Sequence, residues 1–510
     1  MGITGSFPAI ELRNLAKRFG SCIANDGVSL CVERGSIHGV VGENGAGKST
    51  AMKMLYGIYR PDAGQILLSG KECSWSSPAD AIVAGIGMVH QHFMLAGPHS
   101  ALDNILLGAE PTRLGFINRA EARRRLNALS EQNGLYVEWD QAVEALPVGI
   151  QQQIEILKLL YRNANILIFD EPTAVLTPQE TTALFQNLVC LREQGKTILL
   201  ITHKLKEVMA ITDRVTVFRG GKVTGETETS RTNPQELANL MVGRKVLLKV
   251  DVPDAKPLPK IAIEVKHLNL TGPRGSRHKL SDVSFCVKQG EIVGVAGVEG
   301  NGQTELMQAL LHPGDFNCRS SGSVSLLGND VTTWPAGKIR RLGVAVIPEN
   351  RHEEGLLLNR VLEENFVLGM QRYPEFSCAG LLNSRNIRAS ATRAIQENEV
   401  RPTELTIPAV KLSGGNQQKL IFAREFHRNP NIVIAAQPTR GVDVGAIELI
   451  HKRIVRARDE DAGVLLISAE LDEILALSDR ILVMFEGKIV AEFHRGKVDE
   501  VTLGLKMSGS

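Results

Sequence analysis

The chain has few cysteines, no cysteine pairs and no long apolar run. Its seven cysteines include no CxxC spacing, and its first residues lack the charged and then apolar pattern of an export signal. These absences favour a reducing cytosol and argue against a zinc site built from paired cysteines. No segment approaches the ~18 consecutive apolar residues of a membrane-spanning helix. We therefore expect no direct membrane insertion, and any attachment to a membrane must be made through a partner.

The chain also has almost no net charge. Its 58 Lys and Arg residues nearly balance 56 Asp and Glu residues, which leaves +2 over 510 residues. A protein that wraps nucleic acid on a broad surface needs a large basic face, so we expect no nucleic-acid partner. The content of 43% hydrophobic and 22% charged residues is ordinary for a globular protein with an ample core.

What the chain does contain is one module repeated twice. In each copy short apolar runs alternate with helical patterns, which predicts an α/β fold with parallel strands and crossover helices. Matching segments lie 266 positions apart through to Met241 and Met507. We predict a first domain over 9–244, a proline-containing and semi-rigid linker over 245–260, and a second domain over 261–510. Helical inserts are predicted between Gln91 and Leu146 and from about Leu356 to Val410.

The first copy contains a GxxxxGKS phosphate loop between an apolar strand and a helical run that begins near Thr50. Glycines in such a loop let backbone N–H groups converge on phosphate oxygens at the start of a helix. The lysine reaches the outer phosphates, and the serine hydroxyl faces Mg²⁺. The loop consists of Gly42, Glu43, Asn44, Gly45, Ala46, Gly47, Lys48 and Ser49, and we assign these residues and the following Thr50 to ATP binding.

The second copy keeps the shape of this loop but loses its lysine. Gln303 stands 255 positions after Lys48, followed by Thr304 where the first copy has Ser49. A neutral amide cannot offset the negative charge of a triphosphate. The second loop is therefore predicted to be defective.

The same asymmetry appears at the predicted acidic residues. In the first copy the apolar run ILIF ends in Asp170 and Glu171, suited to holding the Mg²⁺ shell and to polarising an attacking water. His203 follows a later strand. At the constant offset of 266 the second copy has neutral replacements at all three positions: Ala436, Gln437 and Ala469.

One short stretch shows the opposite asymmetry. The second copy reads Leu412-Ser413-Gly414-Gly415-Asn416, whereas the first reads LPVGI, with Pro147 in place of the serine. A serine hydroxyl and two glycines permit close approach to a phosphate, whereas proline has neither a hydroxyl nor an N–H group. Each copy therefore supplies what the other lacks.

Together these residues resemble the ATP-binding cassette (ABC) superfamily over essentially the whole chain. The resemblance implies two tandem P-loop NTPase cassette domains, each with a mixed sheet core and an α-helical subdomain. It also implies head-to-tail packing, in which each ATP lies between one domain's phosphate loop and the other domain's LSGGQ-type signature. Gln91 resembles the family's Q-loop glutamine, which binds Mg²⁺, and Phe19, 29 residues before Lys48, resembles the aromatic that stacks on adenine. In the second copy Glu349 replaces the Q-loop glutamine.

The resemblance predicts one complete site for ATP and Mg²⁺. The complete site combines the first copy's phosphate loop, Gln91, Asp170, Glu171 and His203 with the second copy's signature, including Ser413 and Gly415. Catalysis is assigned to Glu171, His203, Lys48 and Gln91, and the Mg²⁺ ligands are Ser49, Gln91 and Asp170. The other pairing joins Gln303 to Pro147, and we interpret it as non-hydrolytic.

Plainer interpretations stand beside these assignments. A phosphate loop alone marks many NTPases, and each replacement in the second copy is individually compatible with drift in a site that still binds nucleotide. Phe19 has the alternative role of a core aromatic. His90 and His92 have a His-x-His spacing, but without a third ligand they are better interpreted as loop-packing residues than as a metal site.

Fused twin cassettes with a short linker resemble ATPase subunits of bacterial importers. The resemblance implies a peripheral protein on the cytoplasmic face of the inner membrane, with two integral-membrane permease subunits and an external solute-binding protein as partners. Segments such as VHQHFML and AAQPTRGVDVGAIE look most like the branch for nucleosides and related purine or simple-sugar solutes. The alternatives are a monosaccharide importer of the ribose or galactose type, or a twin-cassette ATPase that acts on ribosomes or DNA.

Overall fold

The repeat seen in the sequence appears as two structural units in a computed structural model of the chain. The units comprise Met1–Val246 and Leu247–Ser510, and each is described by itself. Residues 246–251 of the predicted linker lie outside the described residues. The structure describes residues 7–20, 22–90, 93–113, 115–173, 176, 178–245, 252–271, 278–298, 300–312, 319–507 and 509.

The first unit contains an antiparallel four-stranded sheet, a mixed six-stranded sheet and a short hairpin. Its strands are β1 (Ile10–Phe19), β2 (Cys22–Val32), β3 (Ile37–Gly42), β4 (Ala63–Leu68), β5 (Lys71–Cys73), β6 (Ile86–Val89), β7 (Thr112–Arg113), β8 (Phe116–Ile117), β9 (Ile166–Asp170), β10 (Thr197–Thr202), β11 (Arg214–Arg219) and β12 (Lys222–Glu228). Its helices are α1 (Lys48–Leu55), α2 (Pro78–Val83), α3 (Ala101–Leu106), α4 (Arg119–Asn133), α5 (Val148–Tyr161), α6 (Pro178–Glu193), α7 (Leu205–Ile211) and α8 (Pro234–Val242).

The second unit repeats this arrangement with the same strand order. Its strands are β13 (Ile261–Thr271), β14 (His278–Lys288), β15 (Ile292–Ala296), β16 (Arg319–Leu326), β17 (Asn329–Asp330), β18 (Val344–Ile347), β19 (Ser377–Cys378), β20 (Leu381–Leu382), β21 (Ile432–Ala436), β22 (Gly463–Ser468), β23 (Arg480–Phe485) and β24 (Lys488–His494). Its helices are α9 (Gln303–Leu311), α10 (Ala336–Arg340), α11 (Leu362–Val367), α12 (Ser384–Glu397), α13 (Gly414–Glu425), α14 (Val444–Asp459), α15 (Leu471–Leu477) and α16 (Glu500–Met507).

The order of the six-stranded sheet places three loops side by side. The order is β12-β11-β3-β10-β9-β6, with β3, β10 and β9 parallel to one another. Every residue of these three strands is buried, as expected for apolar runs covered on both faces. Thr202 pairs with Val41, and Ile201 pairs with Asp170. The carboxyl ends of the three strands therefore meet at one edge of the sheet, where α/β proteins bind ligands.

The predicted helical inserts are present in both units. In the first, α4 begins after Asn118, whose side chain accepts the N–H of Glu121 and caps the helix. Ala122, Leu126 and Ser130 lie four residues apart and form its buried stripe. The predicted fold class is thereby confirmed. The hairpins β7–β8 and β19–β20, which the sequence analysis did not predict, lie within the two inserts.

Part of the predicted linker lies along the second unit. The N–H of Leu258 donates to the carbonyl of Gln289 at 2.9 Å, and the guanidinium of Arg495 donates to the carbonyl of Val252 at 3.1 Å. Strand β13 begins directly after this segment, at Ile261. Within the described part of the chain, no helix has the length and apolar character needed to cross a membrane.

Candidate ATP site

The first phosphate loop connects β3 to α1 and requires glycine at its last turn. Gly47 caps α1 with φ of 98°, in the left-handed region that favours glycine. A Cβ atom there would lie 2.6 Å from the side-chain nitrogen of Asn25. The buried Asn25 amide in turn donates to the Gly47 carbonyl at 3.1 Å. The loop is thus held in shape from β2, with the N-terminus of α1 opening into it.

Lys48 lies inside this loop with an exposed fraction of only 5%. Its Nζ donates to the carbonyl oxygens of Gly42 at 2.7 Å and Glu43 at 2.9 Å. Burial lowers the pKa of Lys48, while the nearby carboxylates of Glu171 and Asp170 oppose that shift. Charge-assisted bonds to an anion are stronger than bonds to neutral carbonyls, so phosphate oxygens fit this lysine.

Asp170 lies at the end of β9, opposite the phosphate loop. Its carboxylate accepts a hydrogen bond from the Ser49 hydroxyl at 3.1 Å. Asp170 is buried, and this burial raises its pKa. The pair thus brings together two oxygen ligands of the kind that Mg²⁺ prefers.

Glu171 adopts a left-handed backbone conformation directly after β9. Its φ is 50°, and its N–H donates to the carbonyl of Ile201 at 2.9 Å, which fixes the turn against β10. The side chain is bonded to Nδ1 of His203 at 2.9 Å. Burial alone would raise the pKa of Glu171, but the His203 bond and the charges of His203, Lys48 and Lys204 outweigh it. The pKa of Glu171 is therefore lowered, which keeps the carboxylate ionised.

This balance predicts a shift in the pH dependence of His203→Ala. The substitution removes the bond that lowers the pKa of Glu171 and leaves the burial that raises it. The sequence assigns the general base to Glu171, and a protonated carboxyl group cannot act as a base, so the acidic limb of the kcat/KM profile should move to higher pH. Steady-state ATP hydrolysis from pH 4.5 to 8 measures the limb, and circular dichroism checks folding over the same range. An acidic limb at the wild-type pH would contradict this assignment.

Glu207 supports the same corner and was missed by the sequence analysis. Its buried carboxylate accepts hydrogen bonds from Thr202 at 2.8 Å and from Thr173. It thereby joins the end of β10 to the segment that follows Glu171. The sequence contained a signal for this residue. Glu473 occupies the matching position 266 residues later, although Ala469 replaces the nearby His203 in the second copy.

The other sequence-predicted residues of the first unit have mixed outcomes. Phe19 is 43% exposed and lies edge-on to Tyr59 at 5.1 Å between ring centroids, so the alternative role of a core aromatic is wrong. His90 packs edge-on against Tyr56 at 6.0 Å. Gln91 and His92 lie outside the described residues.

The second phosphate loop ends in the same helix cap as the first but has different chemistry. Gly302 caps α9 with φ of 107°, and Gln303 is buried like Lys48. Its side-chain nitrogen approaches the position that a Cβ on Gly297 would occupy. The glycine cap at the end of the loop is thus retained although the cation is lost.

The residues after β21 keep the backbone conformation found after β9, but their side chains differ. Gln437 has φ of 46° and its N–H donates to the carbonyl of Ile467 at 2.7 Å, as Glu171 does to Ile201. Its side-chain oxygen accepts the N–H of Ala469 at 3.2 Å. Ala436 and Gln437 thus supply neither of the two carboxylates that Asp170 and Glu171 supply in the first unit.

The signature segment of the second unit begins α13. Ser413 caps the helix, and its Oγ accepts from the Asn416 side chain at 2.9 Å. Neighbouring atoms leave no room for a side chain at Gly414 or Gly415. A Cβ on Gly414 would lie 3.0 Å from the Gly441 carbonyl, and one on Gly415 would collide with the Asp443 carboxylate. In the first unit Pro147 caps α5 without any side-chain bond.

Comparison with known proteins agrees with this geometry. A family model described as ABC transporter matches residues 25–174 and 280–440. The chain belongs to the ABC transporter family. As a member of this family it is an ATP-binding ATPase with two tandem cassettes.

Three relatives match nearly the whole length of the chain. The nucleoside import ATP-binding protein NupA of Lactococcus lactis is 46% identical, covering 98% of this chain and 98% of its own length. The guanosine import ATP-binding protein NupO of Bacillus subtilis is 45% identical, covering 98% and 97%. The ribose import ATP-binding protein RbsA of Yersinia pestis is 37% identical, covering 97% and 95%.

The structure of this ABC chain gathers the predicted residues within each unit. In the first unit Lys48, Ser49, Asp170, Glu171 and His203 converge at the carboxyl edge of the sheet. In the second unit the signature lies beside the loop that contains Asp443. The pairing of these two sets across the units remains a prediction from the family resemblance.

Proposed function

We propose that this chain is the ATP-hydrolysing subunit of a bacterial importer for nucleosides or related purine solutes. The observation that carries the proposal is the 46% and 45% identity, over nearly the whole length of both chains, to import ATP-binding proteins for nucleosides and guanosine. The partners are two integral-membrane permease subunits and an external solute-binding protein, and the chain works at the cytoplasmic face of the membrane. Ribose import is the second candidate, which the 37% identical relative favours.

ATP hydrolysis occurs at one composite site in this proposal. Lys48 binds the outer phosphates, and the left-handed turn of the loop directs backbone N–H groups toward them. Ser413 and Gly415 of the second unit approach the same triphosphate from the opposite side. Phe19, exposed and next to Tyr59, stacks on adenine.

Glu171 orients and polarises the attacking water, because its lowered pKa keeps the carboxylate ionised. His203 fixes that carboxylate and, with Lys48 and Ser413, stabilises the transferring phosphoryl group. Gln91 is the proposed link from the site to the helical insert and the permease. Hydrolysis then releases the grip of the two units on each other.

Ser49, Asp170 and Gln91 are the proposed Mg²⁺ ligands. The Ser49 hydroxyl and the Asp170 carboxylate lie 3.1 Å apart, and hard oxygen donors of this kind suit Mg²⁺ together with substrate phosphates. When bound, Mg²⁺ neutralises charge on the phosphates. The corresponding second-unit corner has Ala436 in place of Asp170, and we propose no Mg²⁺ there.

Ser413→Ala tests whether the second unit contributes to hydrolysis. Loss of a hydroxyl that donates to a charged phosphate removes about 1.5–3 kcal/mol, so kcat/KM should fall by about tenfold or more. The variant retains every carboxylate and the lysine of the first unit. Steady-state hydrolysis by the full chain measures the effect, with Pro147→Ala as the matched control in the other signature. Wild-type rates for Ser413→Ala would refute the composite site.

The solute is tested by uptake into cells. A strain without this chain, complemented by wild type or by Glu171→Gln, is given labelled guanosine, adenosine or ribose. The proposal expects nucleoside uptake to depend on the wild-type chain and ribose uptake to be unaffected. Dependence of ribose uptake alone would select the second candidate, and no dependence for any of these solutes would reject both importers.

A further inference from the structure

The segment after β18 connects three functional parts of the second unit. Glu349 stands where the first copy has the Q-loop glutamine. Its carboxylate accepts from the Thr304 hydroxyl at 3.0 Å and pairs with the Arg440 guanidinium at 3.1 Å. The Arg440 guanidinium therefore lies against the Glu349 carboxylate, in the corner that corresponds to the proposed Mg²⁺ site of the first unit. This ties the second phosphate loop to the loop before α14.

Arg351 lies two residues further, in a π-helical turn over 351–355. Its guanidinium donates to the carbonyl of Arg440 at 2.8 Å and to that of Gly441 at 3.4 Å. A Cβ on Gly414 would lie 2.7 Å from the Arg351 Nη2 atom. The planar head of Arg351 thus fills the space between the start of the signature helix and the loop before α14.

His352 completes the connection on the other side. Its Nε2 atom is hydrogen-bonded to the Gln417 side-chain oxygen at 3.0 Å. Gln417 is buried in the first turn of α13, and its amide donates to the Ala409 carbonyl at 3.2 Å. The turn that holds Arg351 is therefore fixed to the signature helix itself.

The first copy has no counterpart of this arginine. The offset of 258 positions between Gln91 and Glu349 aligns Arg351 with Phe93. The first copy is also the one whose signature is degenerate, with Pro147 at its centre. The arginine is thus found only beside the signature that the working site uses.

We propose that Arg351 is a positioning residue that holds the Ser413–Gly415 segment in the orientation required for hydrolysis of ATP bound to the first unit. It acts through the backbone carbonyls of Arg440 and Gly441 and through its contact with Gly414, and it does not touch the nucleotide. This inference rests on the proposed composite site. Lysine cannot replace it fully, because an ammonium group lacks the planar fork that reaches two carbonyls while packing on a glycine.

Arg351→Ala in the full chain should lower kcat by about tenfold or more, since small misplacement of a group that acts in the transition state has a large effect on rate. Binding of ATP to the first unit, measured by equilibrium dialysis, should stay within about threefold because Lys48 and its loop are unchanged. Arg351→Lys should give an intermediate kcat. Arg388→Ala is the control, since this exposed arginine of the helical insert pairs with Glu363 of α11.

Combination with Ser413→Ala separates the possible outcomes. If Arg351 acts through the signature, the double variant should be no slower than the slower single variant, whereas independent effects would multiply. Multiplied effects, or wild-type kcat for Arg351→Ala while Ser413→Ala is slow, would overturn this inference alone. Wild-type kcat for Ser413→Ala would instead overturn the proposed function. If Arg351→Ala does not fold, wild-type kcat for Arg351→Lys would overturn the inference.

Discussion

Glu171→Gln should stop ATP turnover and leave ATP bound to the chain. Loss of a positioned general base lowers rates by about 10²- to 10⁴-fold. The amide retains the size of the side chain and a hydrogen-bonding partner for His203, so the Lys48 loop and its affinity for ATP should be preserved. Rates of phosphate release and the nucleotide retained after rapid gel filtration measure the two effects.

The amount of trapped ATP discriminates between one and two sites. Only the first unit combines a phosphate-loop lysine with Asp170, so the variant should retain about one ATP per chain. The matched control is Gln437→Glu, which places a carboxylate at the corresponding corner of the second unit. It should leave turnover unchanged, because Gln303 and Ala436 still stand in place of the phosphate-loop lysine and of Asp170. Two tightly held ATP molecules per chain would contradict the asymmetry.

The motif residues were predictable because their order along the chain is fixed by strand topology. A phosphate loop after β3 and acidic residues after β9 must meet when β10 lies between those parallel strands. The sequence therefore predicted that Lys48, Ser49 and Asp170 lie together. It also predicted the helical insert of the first unit, since the α4 segment has a helix-forming composition.

The supporting contacts were not predictable in the same way. Asn25 and Glu207 support the site through hydrogen bonds of their buried side chains. Nothing in the sequence distinguishes them from other buried polar residues, most of which are also hydrogen-bonded. The Glu349–Arg440 pair joins residues 91 positions apart through packing of loops whose conformation no motif specifies. The two-residue strands of β7 and β8 are too short to show an alternating pattern.

The second unit keeps the backbone conformation of the turn after β21 but has lost the carboxylates found at the matching turn of the first unit. Gln437 retains a left-handed conformation that costs free energy for any residue with a side chain, although it offers no base. The turn still has a structural use, because its side chain accepts the N–H of Ala469 and its loop presents Arg440 to Glu349. Retention of the loops is thus explained by their contacts with one another and does not require nucleotide chemistry at that corner.

Lys48→Met and Gln303→Met should have opposite consequences although the two residues occupy matching positions. Lys48→Met removes the ammonium group that donates to the carbonyls of Gly42 and Glu43 and that we propose binds the phosphates of ATP. Loss of this charge-assisted contact, worth about 1.5–3 kcal/mol, should weaken ATP binding about 10- to 100-fold. Hydrolysis should fall further, because the same cation stabilises charge in the transition state. Isothermal titration with MgATP and steady-state hydrolysis measure the two effects.

Gln303→Met is the matched control, since it removes a buried polar side chain at the start of α9 without altering the first unit. It should leave both ATP affinity and turnover within about twofold of wild type, with at most a small change in stability. Gln303→Lys extends the comparison in the other direction. Because Ala436 and Gln437 still supply no carboxylate, the restored lysine should not increase turnover. A doubling of turnover by Gln303→Lys would mean that the second unit needs only its cation to hydrolyse ATP, and it would refute a single working site.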